Sequence, residues 1–385
     1  MYAYLDNSAT TRPTAVVAEA VRQAMESGWY NPSALYRPAM ETQKKLDAVR
    51  ELCLKAAGAS AGERVIFTSG GTEGDNLALI GHLKTRRNGG KVLISSVEHP
   101  AVSACAEEIR RMGFSLEEIP AQQDGRIDLR WLEEALDGET VLISVMQVNN
   151  ETGAAEPLAE IAALRNRKAP GAAIHVDGVQ GFLRIETNFT KLGIQSYALS
   201  AHKIHGLKGT GALIVQKNHP LHPIVWGGGQ EGNLRSGTEN TCGILALGEA
   251  IRTWDPDAAG RMASLKARLR ETILETIPEA RVNGPAAEQP ELSAPHILNI
   301  SLPPVRSQTM LFALEGDGVY VSAGSACASR KQKISPVLKA MGVTTEMADC
   351  ALRFSLSPMT TEKEIDYAAE RTAAHWELLR KYTRR

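Results

Sequence analysis

The sequence has no long hydrophobic run, no excess of charge of either sign and no internal repeat. Its apolar stretches all fall short of the about 18 residues that a membrane-spanning helix needs, so we expect no transmembrane span and no membrane partner. The 43 Lys and Arg residues nearly balance the 44 Asp and Glu residues, which gives a net charge of −1. Nothing in this balance favours a polyanionic partner, so direct binding of nucleic acid is not expected.

The cysteines form no motif that is typical of a disulfide framework or a zinc site. They are odd in number and scattered, at Cys53, Cys105, Cys242, Cys327 and Cys350. The opening MYAYLDNSAT also lacks the basic and apolar regions of a signal peptide. We therefore expect a reduced, cytoplasmic location and no metal site.

Short apolar runs alternate with amphipathic stretches in the first two thirds of the chain. The runs that read as strands cover 64–69, 91–96, 141–148, 172–177, 197–200 and 211–215. They are almost continuously apolar, as expected when helices cover both faces of a sheet. The segment 157–169 begins with Pro157 and ends in basic residues, which is typical of a helix. This order predicts an α/β doubly wound domain with a mostly parallel sheet.

The character of the chain changes after Asp255. The later segments that read as helices or strands are 262–276, 296–303, 352–358 and a final helix from Glu362. They predict a smaller α+β domain. We expect the large domain to span 14–255 and the small domain to comprise 1–13 and 256–385. The Gly-rich, polar segment 227–240 predicts a long loop in the large domain.

Three polar clusters follow predicted strands, where ligands bind in open α/β sheets. They are SGGTEGDN (69–76), HVDGVQ (175–180) and SAHKIHG (200–206). Each has an ordinary structural explanation, as a Gly-rich turn, a helix N-cap at Asp177 and a solvated charge at Lys203. Together they supply a phosphate cradle, a carboxylate for a ring nitrogen and a lysine for a Schiff base. Pyridoxal phosphate needs this combination, and few other ligands do.

A further cluster, SAGSACASRK (322–331), surrounds Cys327 with small residues. Most single cysteines are small buried hydrophobes. Glycine and serine on both sides of this one predict an exposed loop, at about 321–334. Arg330 and Lys331 are placed to lower the pKa of the thiol, although solvent would screen their charges.

Taken in order along nearly the whole chain, these and further motifs resemble those of the cysteine desulfurases, in the NifS/IscS group of the class V aminotransferase superfamily. The matching segments are YLDNSATT (4–11), NPSALY (31–36), SGGTEGDN, EHPAV (98–102), VNNETG (148–153), HVDGVQ, SAHKIHGLKGTGAL (200–213), GGGQEGNLRSGTEN (227–240), GSACAS (324–329) and LRFSLSPMTTEKEID (352–366). The resemblance implies pyridoxal-phosphate fold type I, with a seven-stranded type of sheet between helices and a smaller α+β C-terminal domain.

The resemblance also implies roles for single residues. Lys203 would form the Schiff base, Asp177 would pair with the ring nitrogen, and His99 would stack on the ring and assist proton transfer. Asn150 and Gln180 would bond the 3-oxygen of the ring and the substrate region. The phosphate would be held by Gly71, Thr72, Ser200 and His202, and by Thr238 of the neighbouring subunit in a homodimer.

For the substrate, L-cysteine, the resemblance places Arg353 at the carboxylate, with Asn31 and Asn150 as helpers. A guanidinium fork suits a carboxylate, although an Arg paired with a nearby acid is the common alternative. Lys203 would remove the Cα proton, and the Cys327 thiolate would take the sulfur as a persulfide and release alanine. The other four cysteines are expected to be packing residues.

Some positions depart from the family pattern, and some alternatives stay open. Tyr36 stands where relatives commonly have His, the segment 329–335 is unusually basic, and Gln195 replaces a frequent acid, which we interpret as local packing. A selenocysteine lyase, another class V aminotransferase and an inactive dimeric scaffold are the rival functions. The sulfur acceptor, whether a scaffold protein for iron–sulfur clusters, a tRNA-thiolation enzyme or a dedicated activator, is not specified by the sequence.

Overall fold

The computed structural model describes residues 1–323 and 334–382. Its largest element is a seven-stranded sheet. The strands of this sheet are β2 (Arg64–Thr68), β3 (Lys91–Ser95), β4 (Ser115–Ile119), β5 (Thr140–Met146), β6 (Ala173–Asp177), β7 (Ser196–Ser200) and β8 (Gly211–Val215). Five other strands of the described residues lie outside this sheet. One of them is β1 (Ala3–Tyr4), and the other four are given below.

The strands of the large sheet lie in the order β2-β8-β7-β6-β5-β3-β4. Neighbours are parallel throughout, except that β8 runs antiparallel to β2 and β7. The prediction of a mostly parallel, doubly wound α/β fold is therefore confirmed. Strand β4 was not predicted. It lies at the edge of the sheet and exposes Ser115, Glu117 and Glu118, so it lacks the continuous apolar run of the central strands.

Helices cover both faces of the sheet and continue into the C-terminal part of the chain. Those of the first 252 residues are α1 (Ala15–Ser27), α2 (Arg37–Ala56), α3 (Gly71–Leu83), α4 (Pro100–Ser103), α5 (Ala106–Arg111), α6 (Leu129–Ala135), α7 (Leu158–Lys168), α8 (Phe189–Leu192), the distorted turn α9 (Gln230–Asn233) and α10 (Thr241–Arg252). One apolar cluster lies on the side of α2, α7 and α10, and another lies on the side of α3 and α5. Burial on both faces explains why the central strands are apolar throughout.

A second group of elements has its own apolar core. It contains α11 (Ala258–Thr276), β9 (Arg281–Val282), β10 (Ile297–Ser301), α12 (Ser307–Gly316), β11 (Val319–Tyr320), α13 (Pro336–Ala340), α14 (Thr345–Asp349), β12 (Ala351–Ser355) and α15 (Glu362–Leu379). Strands β12, β10 and β9 form an antiparallel sheet, and β1 pairs with β11. Ala3 and Leu5 belong to this core, so the N-terminus packs with the C-terminal part. The limits 14–255, and 1–13 with 256–385, remain our proposal for the two domains.

Several parallel strands of the large sheet end at the same edge, and their following loops meet there. Asp177 is the last residue of β6 and Ser200 the last of β7, while His99 follows β3 and Asn150 follows β5. Among the residues that the structure describes, no helix combines the length and the apolar character needed to cross a membrane.

Candidate active site

A cavity of about 510 Å³ opens at this edge of the sheet. It brings together most of the predicted site residues, namely Gly71, Thr72, His99, Asn150, Asp177, Gln180, Ser200, His202, Lys203 and Arg353. The elements that deliver them are far apart in sequence, so the fold and not local spacing creates the site.

One end of the cavity is formed by the turn between β2 and α3. Gly70 has φ = 154°, a backbone conformation that side-chain-bearing residues rarely adopt, and no described side chain caps the start of α3. A Cβ atom on Gly71 would lie 2.4 Å from Cγ2 of Val179. The first backbone N–H groups of α3 and the Thr72 hydroxyl are therefore left for an anionic ligand.

Ser200 and His202 lie beside this turn on the loop after β7. The His202 ring lies 3.1 Å from the Thr10 hydroxyl through Nδ1. Burial, together with the charges of Lys203 and Lys208, lowers the pKa of His202 to about 4. The ring is thus neutral near pH 7, and it offers a hydrogen bond to an anion without a full charge.

Lys203 projects from the loop after β7 to the middle of the cavity wall. Its Nζ donates to the carbonyl oxygens of Ser8 at 2.5 Å and Ala9 at 2.9 Å. Burial and the guanidinium groups of Arg353 and Arg184 lower the pKa of Lys203 to about 8. A much larger fraction of this amine than of an ordinary lysine is therefore unprotonated near neutral pH, as a nucleophile or base requires.

Asp177 also lines the cavity, and little positive charge lies near its carboxyl group. Its Oδ1 accepts the Val179 N–H at 2.9 Å. Burial raises the pKa of Asp177 to about 7, and the opposite influence of His99 is weaker. A carboxyl group in this position favours a cationic or N–H-bearing ligand, because such a ligand would stabilise its anion.

His99 caps α4 and lines the same cavity. Its Nδ1 accepts the Ala101 N–H at 3.1 Å, so the proton of the neutral ring lies on Nε2. Burial lowers the pKa of His99. The side chain therefore presents a neutral ring to the cavity.

Two amide residues also line the cavity. Gln180 donates from Nε2 to the carbonyl oxygen of Ser8 at 3.0 Å, and its Oε1 lies 3.3 Å from Nε2 of His296. Asn150 contributes its backbone carbonyl to Arg353 and lines the cavity.

Arg353 comes from the middle of β12 and is 2% exposed. Its Nη1 donates to the Asn150 carbonyl at 2.8 Å and its Nη2 to Oδ1 of Asp6 at 2.7 Å. Its Nε has no hydrogen-bond partner among the described residues. Arg353 thus pairs with a nearby acid and also lines the cavity, and its binding of the substrate carboxylate stays a prediction.

Two predicted residues, Asn31 and Thr238, do not line the cavity of this chain. Asn31 is exposed, and its Oδ1 accepts the Ser33 N–H at 3.0 Å. Thr238 is exposed on the loop 227–240. Cys327 lies outside the described residues, as do Arg330 and Lys331. The proposed roles of all three site residues stay predictions.

The described residues on either side of Cys327 in the sequence contact the site. Ser322 and Arg353 exchange backbone hydrogen bonds of 3.1 and 2.8 Å. The Ser335 hydroxyl donates to Oε2 of Glu151 at 2.5 Å, and Pro336 lines the cavity. The described residues that flank positions 324–333 are therefore held at the cavity.

The other four cysteines and Gln195, which the sequence analysis also names, lie in ordinary structural environments. Cys53, Cys105 and Cys350 are buried, which raises the pKa of each thiol, and Cys242 is half-buried. Gln195 accepts the Ile174 N–H at 2.7 Å and donates to the Gly193 carbonyl at 2.8 Å, so its interpretation as local packing is confirmed.

The sequence reasoning missed several residues of the site. Asp6 pairs with Arg353, and the carbonyl groups of Ser8 and Ala9 bind Lys203. Asp75 and Glu98 add two buried carboxyl groups to the cavity wall. Asp75 lies three residues after Thr72 in SGGTEGDN, and Glu98 lies directly before His99 in EHPAV, so both acids stand inside motifs that the sequence analysis names.

Comparison with known proteins places this arrangement in a family. The aminotransferase class-V family model matches residues 3–368. This chain belongs to the class-V aminotransferase family. A class-V relative named cysteine desulfurase IscS, from Dictyoglomus turgidum, is 36% identical over 372 residues, covering 95% of this chain and 92% of the relative.

Two further proteins are similar to this chain over most of its length. A cysteine desulfurase from Sinorhizobium fredii is 36% identical over 368 residues, covering 94% of this chain and 93% of its own. A solved structure described as a NifS-like protein superposes with a TM-score of 0.91 at 31% identity, over 98% of this chain and all of that one. The resemblance to the cysteine desulfurase group is therefore confirmed.

Proposed function

We propose that this class-V family member is a cysteine desulfurase that uses pyridoxal 5'-phosphate, converts L-cysteine to L-alanine and transfers the sulfur to Cys327. The observation that carries the proposal is the position of Lys203. Its amine, with a pKa lowered to about 8, faces the same cavity as Asp177, His99 and Arg353.

The residues of the cavity fit the cofactor in chemistry. The open turn at Gly70 and Gly71, with Thr72, Ser200 and His202, would hold the phosphate. Asp177 would stabilise a protonated ring nitrogen, and Lys203 would make the covalent link. When bound, the cofactor supplies an electron sink that weakens bonds at the substrate Cα and Cβ atoms.

The substrate end would be formed by Arg353 and Asn150, with Asn31 as a further helper. A buried guanidinium with an unpartnered Nε suits a carboxylate, and it orients the amino acid so that its Cα faces Lys203. Nζ of Lys203, once unprotonated, accepts the Cα proton. His99, neutral and protonated at Nε2, is placed to pass a proton within the cavity.

Sulfur transfer is assigned to the Cys327 thiolate. It attacks the substrate sulfur, so that a sulfur–sulfur bond forms while the Cβ–sulfur bond breaks. The electron pair of the broken bond stays with the carbon skeleton, which takes up protons and leaves as alanine. The persulfide then passes its outer sulfur to an acceptor, such as a scaffold protein for iron–sulfur clusters or a tRNA-thiolation enzyme.

We also propose a homodimer in which Thr238 reaches the phosphate site of the neighbouring subunit. The exposure of Thr238, outside its own cavity, supports this assignment. Two ion pairs fix the loop that carries it, Arg50 with Glu231 at 2.7 Å and Arg235 with Glu73 at 2.8 Å. The location that we propose is the cytoplasm, where the thiol chemistry would proceed under reducing conditions.

The test is turnover of L-cysteine by the purified holoenzyme with a thiol reductant, scored as alanine and sulfide. Cys327→Ser should bind cofactor and cysteine but release no sulfide, and Lys203→Ala should lose the cofactor absorbance. Cys242→Ser, which changes a half-buried thiol, is the matched control and should stay active. Full turnover by Cys327→Ser would overturn the proposal, and parallel assays with selenocysteine separate a selenocysteine lyase.

A further inference from the structure

One wall of the cavity holds three buried carboxyl groups, those of Asp75, Glu98 and Asp177. All three are less than a tenth exposed. Within residues 1–323 and 334–382, His175 is the only basic side chain at ion-pair distance from any of them. Because like charges in a low-dielectric interior repel strongly, three carboxylates cannot all be ionised here.

Asp75 and His175 begin a chain of hydrogen bonds behind Asp177. Oδ1 of Asp75 on α3 lies 3.2 Å from Nε2 of His175, and Nδ1 of His175 lies 2.9 Å from the Ser196 hydroxyl on β7. None of the three side chains is more than 2% exposed. His175 precedes Asp177 by two residues on β6, so both side chains project from the same face of the sheet.

The charge state of this chain follows from its burial. An ionised Asp–His pair buried here would lose two hydration shells, and the attraction between the ions, with a single further hydrogen bond to Ser196, rarely compensates for that loss. Burial raises the pKa of Asp75 well above its usual value and lowers the pKa of His175 to about 4, so both groups favour the neutral form. A protonated Asp75 then donates to Nε2 of His175, whose Nδ1–H donates to Ser196.

The other groups around Asp75 give no reason for it to ionise. Glu98 and Asp177 face it from the loops and strands of the sheet, and both disfavour a further negative charge. From the α4–α5 side, the Cys105 thiol is neutral, because burial raises its pKa to about 11. His99 acts on Asp177, and its own pKa is lowered.

We propose that Asp75, His175 and Ser196 form an uncharged hydrogen-bonded chain that reserves the buried negative charge of the cavity wall for Asp177. Asp75 and His175 are thus positioning residues that act through Asp177. The inference rests on the proposed cofactor, since Asp177 is the group that meets its ring nitrogen, but it does not depend on which amino acid is turned over.

Asp75→Asn tests the inference, because the amide keeps an N–H donor to His175 and carries no charge. The measurement is the dissociation constant of pyridoxal phosphate for the apoprotein, titrated over a range of pH. If Asp75 is neutral, Asp75→Asn should bind the cofactor within about threefold of the wild type, with the same pH midpoint. Asp177→Asn should weaken binding about ten- to a hundredfold, the usual effect of losing a hydrogen bond to a charged group.

The inference is wrong if Asp75→Asn weakens cofactor binding as much as Asp177→Asn does, or lowers the pH midpoint by removing a like charge. A second measurement needs no variant. Infrared spectra of wild-type holoprotein with isotope-labelled aspartate, recorded above the titration of Asp177, should retain a protonated carboxyl band. Its absence would also overturn the inference. Neither readout uses turnover, so a failure of the proposed desulfurase activity remains distinguishable.

Discussion

Nη2 of Arg353 lies 2.7 Å from Oδ1 of Asp6, although the two residues are 347 positions apart in the chain. Asp6 belongs to the N-terminal segment whose carbonyl groups at Ser8 and Ala9 also bind Lys203. The segment therefore contacts both the group proposed to bind the substrate carboxylate and the group proposed to move the Cα proton. The charge of Asp6 also opposes the lowering of the Lys203 pKa by Arg353.

Arg353→Lys should raise KM for L-cysteine more than it lowers kcat. A lysine keeps the charge but cannot reproduce the guanidinium fork between Asp6, the Asn150 carbonyl and a carboxylate. We expect kcat/KM to fall about ten- to a hundredfold, the range for a lost charge-assisted hydrogen bond. Steady-state kinetics on cofactor-saturated enzyme measures this. Arg306→Lys, at an exposed pair with Asp349, is the control, and an unchanged KM in Arg353→Lys would contradict the assignment.

Only Lys203 should form a covalent link with pyridoxal phosphate. Lys266 is a close comparison, because burial lowers its pKa to about 8 as well, but its Nζ is bound to Ser293 and to the Ala294 carbonyl. Borohydride reduction followed by peptide mass spectrometry should place the cofactor on Lys203. Lys203→Arg should lose the adduct and Lys266→Arg should keep it, and the reverse result would refute the site.

Asp177 should make the apoprotein less stable as the pH rises from about 4 to about 7. Its pKa in the folded state, about 7, lies above the usual aspartate value of about 3.9, so the folded protein holds the proton more tightly. This contribution is fully present below pH 4 and is lost by pH 7. Calorimetry should show that Asp177→Asn gains melting temperature relative to the wild type over this range.

In the matched control for that experiment, Asp137→Asn, the melting temperature should change in the opposite direction. Lys91 lowers the pKa of the exposed Asp137, so its contribution is present at neutral pH and is lost as the pH falls. Asp137→Asn should therefore lose melting temperature relative to the wild type toward neutral pH. A flat difference for Asp177→Asn would show that Asp177 does not titrate in this window.

Thr238 should act in the neighbouring subunit. A mixed dimer of Lys203→Ala and Thr238→Glu protomers contains one site with both native residues if Thr238 acts across the interface, and none if it acts within its own chain. Co-expressed and doubly tagged mixed dimers should recover about half of the wild-type activity, as one intact site of two implies. Activity no higher than that of either parent dimer would contradict the assignment.

Much of the fold was readable because central strands are apolar on both faces. The runs that became β2, β3 and β5 to β8 are of this kind, and this includes β2 although it lies at an edge of the sheet. Strand β4, at the other edge, has the sequence SLEEI, in which apolar residues three apart resemble a helix more than a strand. How far the rest of the chain covers an edge strand decides this difference, and it is a tertiary property.

The site also contains residues that the sequence pattern predicts and contacts that it does not. Asp177 ends a strand, and Lys203 and Thr72 follow strands within four residues, where the doubly wound pattern places ligands. The contacts of Asp6 with Arg353 and of Ser8 with Lys203 join distant parts of the chain, and no local pattern predicts them. The pairing of Asp75 with His175 depends on how α3 packs on β6, which also cannot be derived from spacing.

The central claim is that sulfur from cysteine is transferred to Cys327. The most direct measurement is peptide mass spectrometry of holoenzyme that has been incubated with L-cysteine, without reductant, and then alkylated. We predict one added sulfur atom on the peptide that contains Cys327, none on the Cys242 peptide, and no addition in Lys203→Ala. Alanine formation without sulfur on Cys327, or sulfur on another cysteine of the wild-type enzyme, would contradict the account.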